Sequence, residues 1–218
     1  MKKRTLRCAA IMLAALPAAS AWAQSSNIIY GRVDLGVRYM KDVKEPDRPA
    51  LRIDDSSRGR IGFRGVEDLG NGLSAFFQLE HRFFADTGVQ DGEGMWKDKS
   101  WVGLEKQGLG SVRFGRMSSP VNERGVSGRF ESFGGDSLAG MGTRGAAQNE
   151  KWDNTVTLQS AYFSGFSVAA SYATGEGSSQ KDLYGFQGEY KGDRLIVSVA
   201  WQRDTRAQSG TRAADEWQ

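Results

Sequence analysis

The chain has one cysteine, Cys8, and one histidine, His81, among its 218 residues. A lone thiol cannot make a disulfide framework, and His81 has no Cys or His near it in sequence to complete a metal site or catalytic dyad. Long apolar runs are also missing. After residue 26 nothing approaches 18 consecutive apolar residues, which excludes spanning helices. There is no G-x-S-x-G, the usual hydrolase elbow. The G-x-G-x-x-G match "GMGTRG" at 140–145 lacks the strand and helix that a nucleotide loop needs. The sequence therefore assigns no catalytic residue, no cofactor and no metal.

What is present begins with a leader. "MKKRTLRCAAIMLAALPAASAWAQSS" opens with four basic residues, runs apolar to about Leu16, breaks at Pro17 and ends its core at Ala21-Trp22-Ala23. That is the pattern of a Sec signal peptide over residues 1–23, too short for a membrane anchor. It holds four of the 29 Lys and Arg and none of the 26 acids, so the remainder is nearly neutral, at about −1. The pI near 9.0 is then mostly a property of the leader, and a nucleic-acid partner loses its main support. Cys8 leaves with the leader as well.

Residues 24–218 read as strands. Mean hydropathy is −0.50, yet aromatics make up 11% and glycines number 28, as happens when alternating apolar and polar positions average out. In "GRIGFRGVEDLGNGLSAFFQLE" (59–80), Arg60, Gly62 and Arg64 share a face opposite Ile61 and Phe63. After a turn, Leu73, Ala75, Phe77 and Leu79 oppose Ser74, Gln78 and Glu80, with Phe76 intruding on the polar side. The same alternation runs through 28–39, 152–162, 165–173, 182–190 and 194–202, and 28–39 reads as a single strand. It puts Tyr39, Trp152, Tyr162, Phe166, Tyr172 and Trp201 near strand ends on apolar faces, where an aromatic girdle would lie. Opposite them stand small or charged residues, which suit a wet interior better than the packed core of a secreted sandwich.

Connections alternate long and tight without exception, from 40–50 (long) and 66–72 (tight) to 204–213 (long). This is the meander of an all-β, antiparallel up-and-down transmembrane barrel, here with nine strands and the start of a tenth. The longest connection, 118–151, exceeds what an ordinary loop needs. A barrel hydrolase would have to use His81 with Ser100, and a non-transporting adhesin or structural barrel is a second alternative to a channel.

Four segments carry a family resemblance: "IIYGRVDLGV", "GRIGFRGVEDLGNGLSAFFQLE", "SWVGLEKQGLGSVRFGR" and "WDNTVTLQSAYFSGFSVAASY". In order and spacing the chain resembles the general porins of Gram-negative bacteria, especially the neisserial and β-proteobacterial branch. The resemblance implies a sixteen-stranded, homotrimeric barrel in the outer membrane. Its partners would be the lipid bilayer, lipopolysaccharide and the small hydrophilic solutes that diffuse through it. Family members run longer and end on an aromatic-closed strand, whereas this chain stops at Trp217-Gln218, so the resemblance implies a truncated chain. An open sheet would leave two edges unpaired in lipid. A smaller barrel of eight to ten strands is the rival.

The resemblance also implies a constriction between a basic wall and an inward-folded third loop. Arg60 and Arg64 match the wall, and Lys151 falls where the family often has Arg. Parity adds Arg32, Arg113 and, nearer the outer end, Arg82. Asp98 stands where the family commonly has a basic residue, which weakens the positive wall. In "FESFGGDS" the loop acids would be Glu131 and Asp136, with Glu123 a weaker candidate. Arg116 would face lipid in a regular strand, so a bend is expected there.

Overall fold

The computed structural model describes residues 26–39, 51–55, 57–124, 151–175, 182–204 and 214–217. The leader, the "GMGTRG" segment, and Glu131 and Asp136 lie outside the described residues.

The alternating runs become twelve strands: β1 (Ser26–Arg32), β2 (Gly36–Tyr39), β3 (Leu51–Asp54), β4 (Gly59–Gly70), β5 (Leu73–Phe83) and β6 (Lys99–Lys106), then β7 (Gly110–Ser118), β8 (Lys151–Ser160), β9 (Phe166–Ala173), β10 (Leu183–Lys191), β11 (Ile196–Asp204) and β12 (Ala214–Trp217). A short helix, α1 (Pro120–Arg124), opens the longest connection. Ten strands form one sheet in the order β1-β4-β5-β6-β7-β8-β9-β10-β11-β12, and β2 pairs with β3 alone. Every pairing is antiparallel. The sheet is open, with β1 and β12 at its edges.

Long and tight connections alternate as the sequence indicates. The tightest joins β4 to β5 through Asn71 and Gly72, at φ 53° and 70°. Two successive positive φ angles make the primed turn whose twist matches a hairpin, and Asn-Gly tolerates them best.

Burial over the faces is inverted relative to a soluble sheet. In β9, Phe166, Val168, Ala170 and Tyr172 are exposed while Ser167, Ala169, Ser171 and Ala173 are buried. The neighbours repeat this: Tyr184 and Phe186 are exposed in β10, Leu183, Gln187 and Glu189 buried. Val168 keeps 63% of its surface exposed, against 4% for Gln187. A small apolar core lies on the polar side, where Trp152, Ala173 and Leu183 cluster. Met117 and Val121 are buried too, at the entry to the longest connection.

Three expectations are corrected. The run 28–39 is not one strand: Arg32 faces Arg60 and Gly36 faces Asp54, so three residues oppose five and the ladder breaks between β1 and β2. The ten-stranded sheet matches the nine strands and start of a tenth read from the sequence, and β2 and β3 are the detached outer part of its first hairpin. Trp152 belongs to no lipid-facing girdle, being fully buried. The β7–β8 register jumps from Gly115↔Thr155 to Met117↔Trp152, and Asn154 takes φ 53°. This bulge sets two residues against one and reverses the parity of everything before it in β8. Tyr162 also leaves the girdle, since its hydroxyl donates to the carboxylate of Glu189 on the polar face.

Candidate functional site

Strand register assembles the polar face into rows that the linear sequence does not display. The outermost row is Arg32, Arg60 and Arg82, adjacent across β1, β4 and β5. Next come Tyr30, Gly62, Glu80 and Lys99, carried on to β6. The third row is Ile28, Arg64, Gln78, Trp101, Gly115 and Thr155. The fourth holds Val66, Phe76, Gly103, Arg113 and Thr157. Arg32, Arg60, Arg64, Arg82 and Arg113 thus share one face, as parity indicates.

Lys151 arrives by another route. The bulge at Asn154 cancels its shared parity with Thr155 and Thr157, yet its Nζ lies 3.1 Å from Asp98 Oδ1 and donates to Ser118 Oγ at 3.1 Å. Arg116 is held by an ion pair with Asp153 at 2.6 Å and donates to the Lys97 carbonyl at 2.5 Å. The bend expected near Arg116 is the same bulge, which brings Asp153 to it.

Three acids, each with cations around it, organise this face. Glu80, almost fully buried, stands 3.4 Å from Arg60 and 3.9 Å from Lys99, and accepts from the Tyr30 hydroxyl at 2.6 Å. Asp98, equally buried, lies between Lys151 and Arg82, the latter at 3.7 Å. Burial alone would push the Asp98 carboxyl up. The hydrogen bond it shares with Glu80 and the charges of Lys151 and Arg82 outweigh that and hold it well below the usual carboxylate range. Glu123 on α1 pairs with Arg113 at 3.0 Å. Burial opposes its ionised form, and Arg113, with Lys99 and Lys151 behind it, brings the carboxyl below its ordinary value.

Alpha-helix α1 crosses the polar face. Its Val121 N–H donates to Gln202 Oε1 of β11 at 3.2 Å, while Glu123 reaches Arg113 of β7. A Cβ on Gly185 of β10 would come within 2.9 Å of Pro120 Cγ, so glycine there admits the helix. The first turn of the longest connection is therefore docked on the face that carries the charges.

Sequence reasoning missed the aromatic members of this face. Tyr30 points among the charges, with the Arg64 guanidinium 5.5 Å from its ring centre. Trp101 packs edge-on against Phe76 at 5.4 Å and under the Arg113 guanidinium at 5.6 Å. The isolated Phe76 on a polar face was the available signal. Trp101 follows from it only once the register of β5 on β6 is known.

His81 lies away from these rows, with Trp96 at a ring distance of 6.3 Å, and no group of three metal-ligating side chains occurs among the described residues.

Comparison with known proteins agrees with this architecture. A family model described as Gram-negative porin matches residues 9–218. The major outer membrane protein P.IB of Neisseria gonorrhoeae is 36% identical over 197 residues, covering 87% of this chain and 51% of that protein. Outer membrane porin protein 32 of Delftia acidovorans is 35% identical over 176 residues, covering 76% and 49%. Among solved structures, an anion-selective porin from Comamonas acidovorans superposes with a TM-score of 0.69 at 29% identity, covering 88% of this chain and 61% of that one. The chain spans about half the length of the curated relatives it matches. With ten antiparallel strands in sequence order, an apolar face turned outward and this match over nearly its whole length, the chain belongs to the Gram-negative porin family of the outer membrane.

Proposed function

We propose that the protein contributes to a passive diffusion channel, with its apolar face against lipid and its charged rows beside water. The inverted burial carries this reading. Side chains such as Ile29, Val168 and Leu158, at 71%, 63% and 59% exposure, form an apolar surface far larger than the isolated patches of a soluble monomer. Passage by diffusion needs no nucleophile, metal or cofactor. It needs a field at the narrowest point.

Arg60, Arg64, Arg82, Arg113 and Lys151, with Arg32 above them, make the wall in this reading. Glu123, which pairs with Arg113, would be joined as acids facing the wall by Glu131 and Asp136, as the family resemblance implies. Cations outnumber acids among the described wall residues, which supports an anion preference like that of the anion-selective porin from Comamonas acidovorans. Assembly would follow the family: a trimer in the bilayer, bordered by lipopolysaccharide, passing small hydrophilic solutes and holding no nucleic acid.

Planar-bilayer recordings test it. The full-length protein should give stepwise conductances, and Glu131→Gln with Asp136→Asn should raise the anion-to-cation permeability ratio. Absence of any conductance step would remove the channel reading. An unchanged ratio in a conducting double variant would remove the loop acids from it.

A further inference from the structure

The charged rows account for most of the polar face but leave one region unexplained. Below them, a cavity of about 270 Å³ is lined by Ile28, Val66, Phe76 and Trp101 together with Arg64 and Gln78. Apolar and aromatic side chains are out of place on a face where diffusing ions need only charge and water. Their position is not accidental packing. Ile28, Arg64, Gln78 and Trp101 are consecutive members of one row across β1, β4, β5 and β6.

The aromatic wall is rigid. Phe76 meets Trp101 edge-on at 5.4 Å, and the Arg113 guanidinium caps the same indole at 5.6 Å while its own charge is taken by Glu123. Gly103 makes the arrangement possible: a Cβ there would lie 2.9 Å from Phe76 Cζ and 2.6 Å from the Val112 carbonyl. The cationic side is rigid too. Gln78 Nε2 donates to the Tyr30 hydroxyl, which donates to Glu80, both at 2.6 Å, and the Arg64 guanidinium lies over the Tyr30 ring so fixed.

Arg64 differs from its neighbours in charge. Arg60, Arg82, Arg113, Lys99 and Lys151 each have a carboxylate within 4 Å. Arg64 forms no ion pair with a described residue; its guanidinium rests on the Tyr30 ring. Among the described residues no carboxylate pairs with this guanidinium, which stands beside an apolar aromatic recess.

We propose that this recess is a subsite for small aromatic carboxylates, the ring resting against Phe76, Trp101 and Ile28 and the carboxylate meeting Arg64. The chemistry matches on both ends. A guanidinium binds a carboxylate bidentately, and aromatic side chains favour a ring placed edge-on or offset against them. The cavity lies just under the ~300–1,000 Å³ typical of sites for drug-sized ligands, which suits one ring with one acid group. The proposal rests on the reading of this face as the water-bearing one.

Equilibrium binding separates the two ideas, because it needs no current. Benzoate and acetate, of equal charge, are titrated against the full chain folded in detergent, with tryptophan fluorescence as the readout. Benzoate should bind about tenfold more tightly than acetate, the difference that ring burial of ordinary size would make. Arg64→Gln should weaken both acids, and Trp101→Leu should remove the benzoate advantage, read by isothermal calorimetry since its fluorophore is gone. Phe76→Leu, which keeps the indole, should reduce the advantage in either readout. Equal affinities in the wild type, or an advantage that survives in both Trp101→Leu and Phe76→Leu, would overturn the subsite. A protein that conducts in bilayers without preferring benzoate keeps its channel and loses this site; one that prefers benzoate without conducting keeps the site and loses the channel.

Discussion

Lys151 Nζ lies 3.1 Å from Asp98 Oδ1, joining the first residue of β8 to the residue that precedes β6. The contact places an acid inside the basic wall, where it also meets Arg82 at 3.7 Å. Asp98 thus removes positive potential at the point where two wall cations converge.

Asp98→Asn should therefore raise the anion-to-cation permeability ratio in bilayer recordings. It should also lower stability by roughly 1–3 kcal/mol, the scale for losing a charged hydrogen-bond partner and leaving cations partly buried. Reversal potentials in a salt gradient check the first effect and urea unfolding the second. An unchanged ratio would place Asp98 outside the ion path.

Acid should act through the same group. Folding depresses the Asp98 carboxyl below its ordinary value of 3.8, so in that range the unfolded chain binds the proton and the folded one does not. The stability it contributes is complete above about pH 4 and drains away as pH falls toward the folded value. Glu123, also depressed, adds a loss beginning nearer its ordinary 4.5. Between pH 6 and pH 3 the urea midpoint should fall less in Asp98→Asn than in the unaltered protein.

Glycine spacing gives a paired test. A Cβ on Gly103 would press on Phe76 and on the Val112 carbonyl, whereas one on Gly188 meets nothing within 4 Å. Gly103→Ala should cost about 1–3 kcal/mol through overpacking. Gly188→Ala should stabilise by about 0.4–1 kcal/mol, because the unfolded chain loses freedom and the folded one is unstrained. Thermal unfolding of the two variants checks the opposite signs.

Much of this was readable in the amino-acid order. Period-two alternation fixes which face Arg60, Arg64 and Phe166 occupy, since a strand has only two sides. The long-tight rhythm shows which strands pair. Irregularities defeat parity: the bulge at Asn154 sends Trp152 to the interior, and the unequal spans on either side of the break between β1 and β2 divide the first hairpin. Such breaks depend on partner strands and leave little local trace. The rows are hidden for the same reason. Nothing near Ile28 in the sequence indicates that Arg64, Gln78 and Trp101 line up beside it, because that order is a property of three registers at once.

The partition of faces is tested most directly by nitroxide labels placed singly from Phe166 to Ala173 in the protein reconstituted into bilayers. Oxygen should relax labels at 166, 168, 170 and 172 most strongly, and a water-soluble nickel complex those at 167, 169 and 171, out of phase with period two. Equal access of both relaxants at every position would contradict the assignment of one face to hydrocarbon and the other to water.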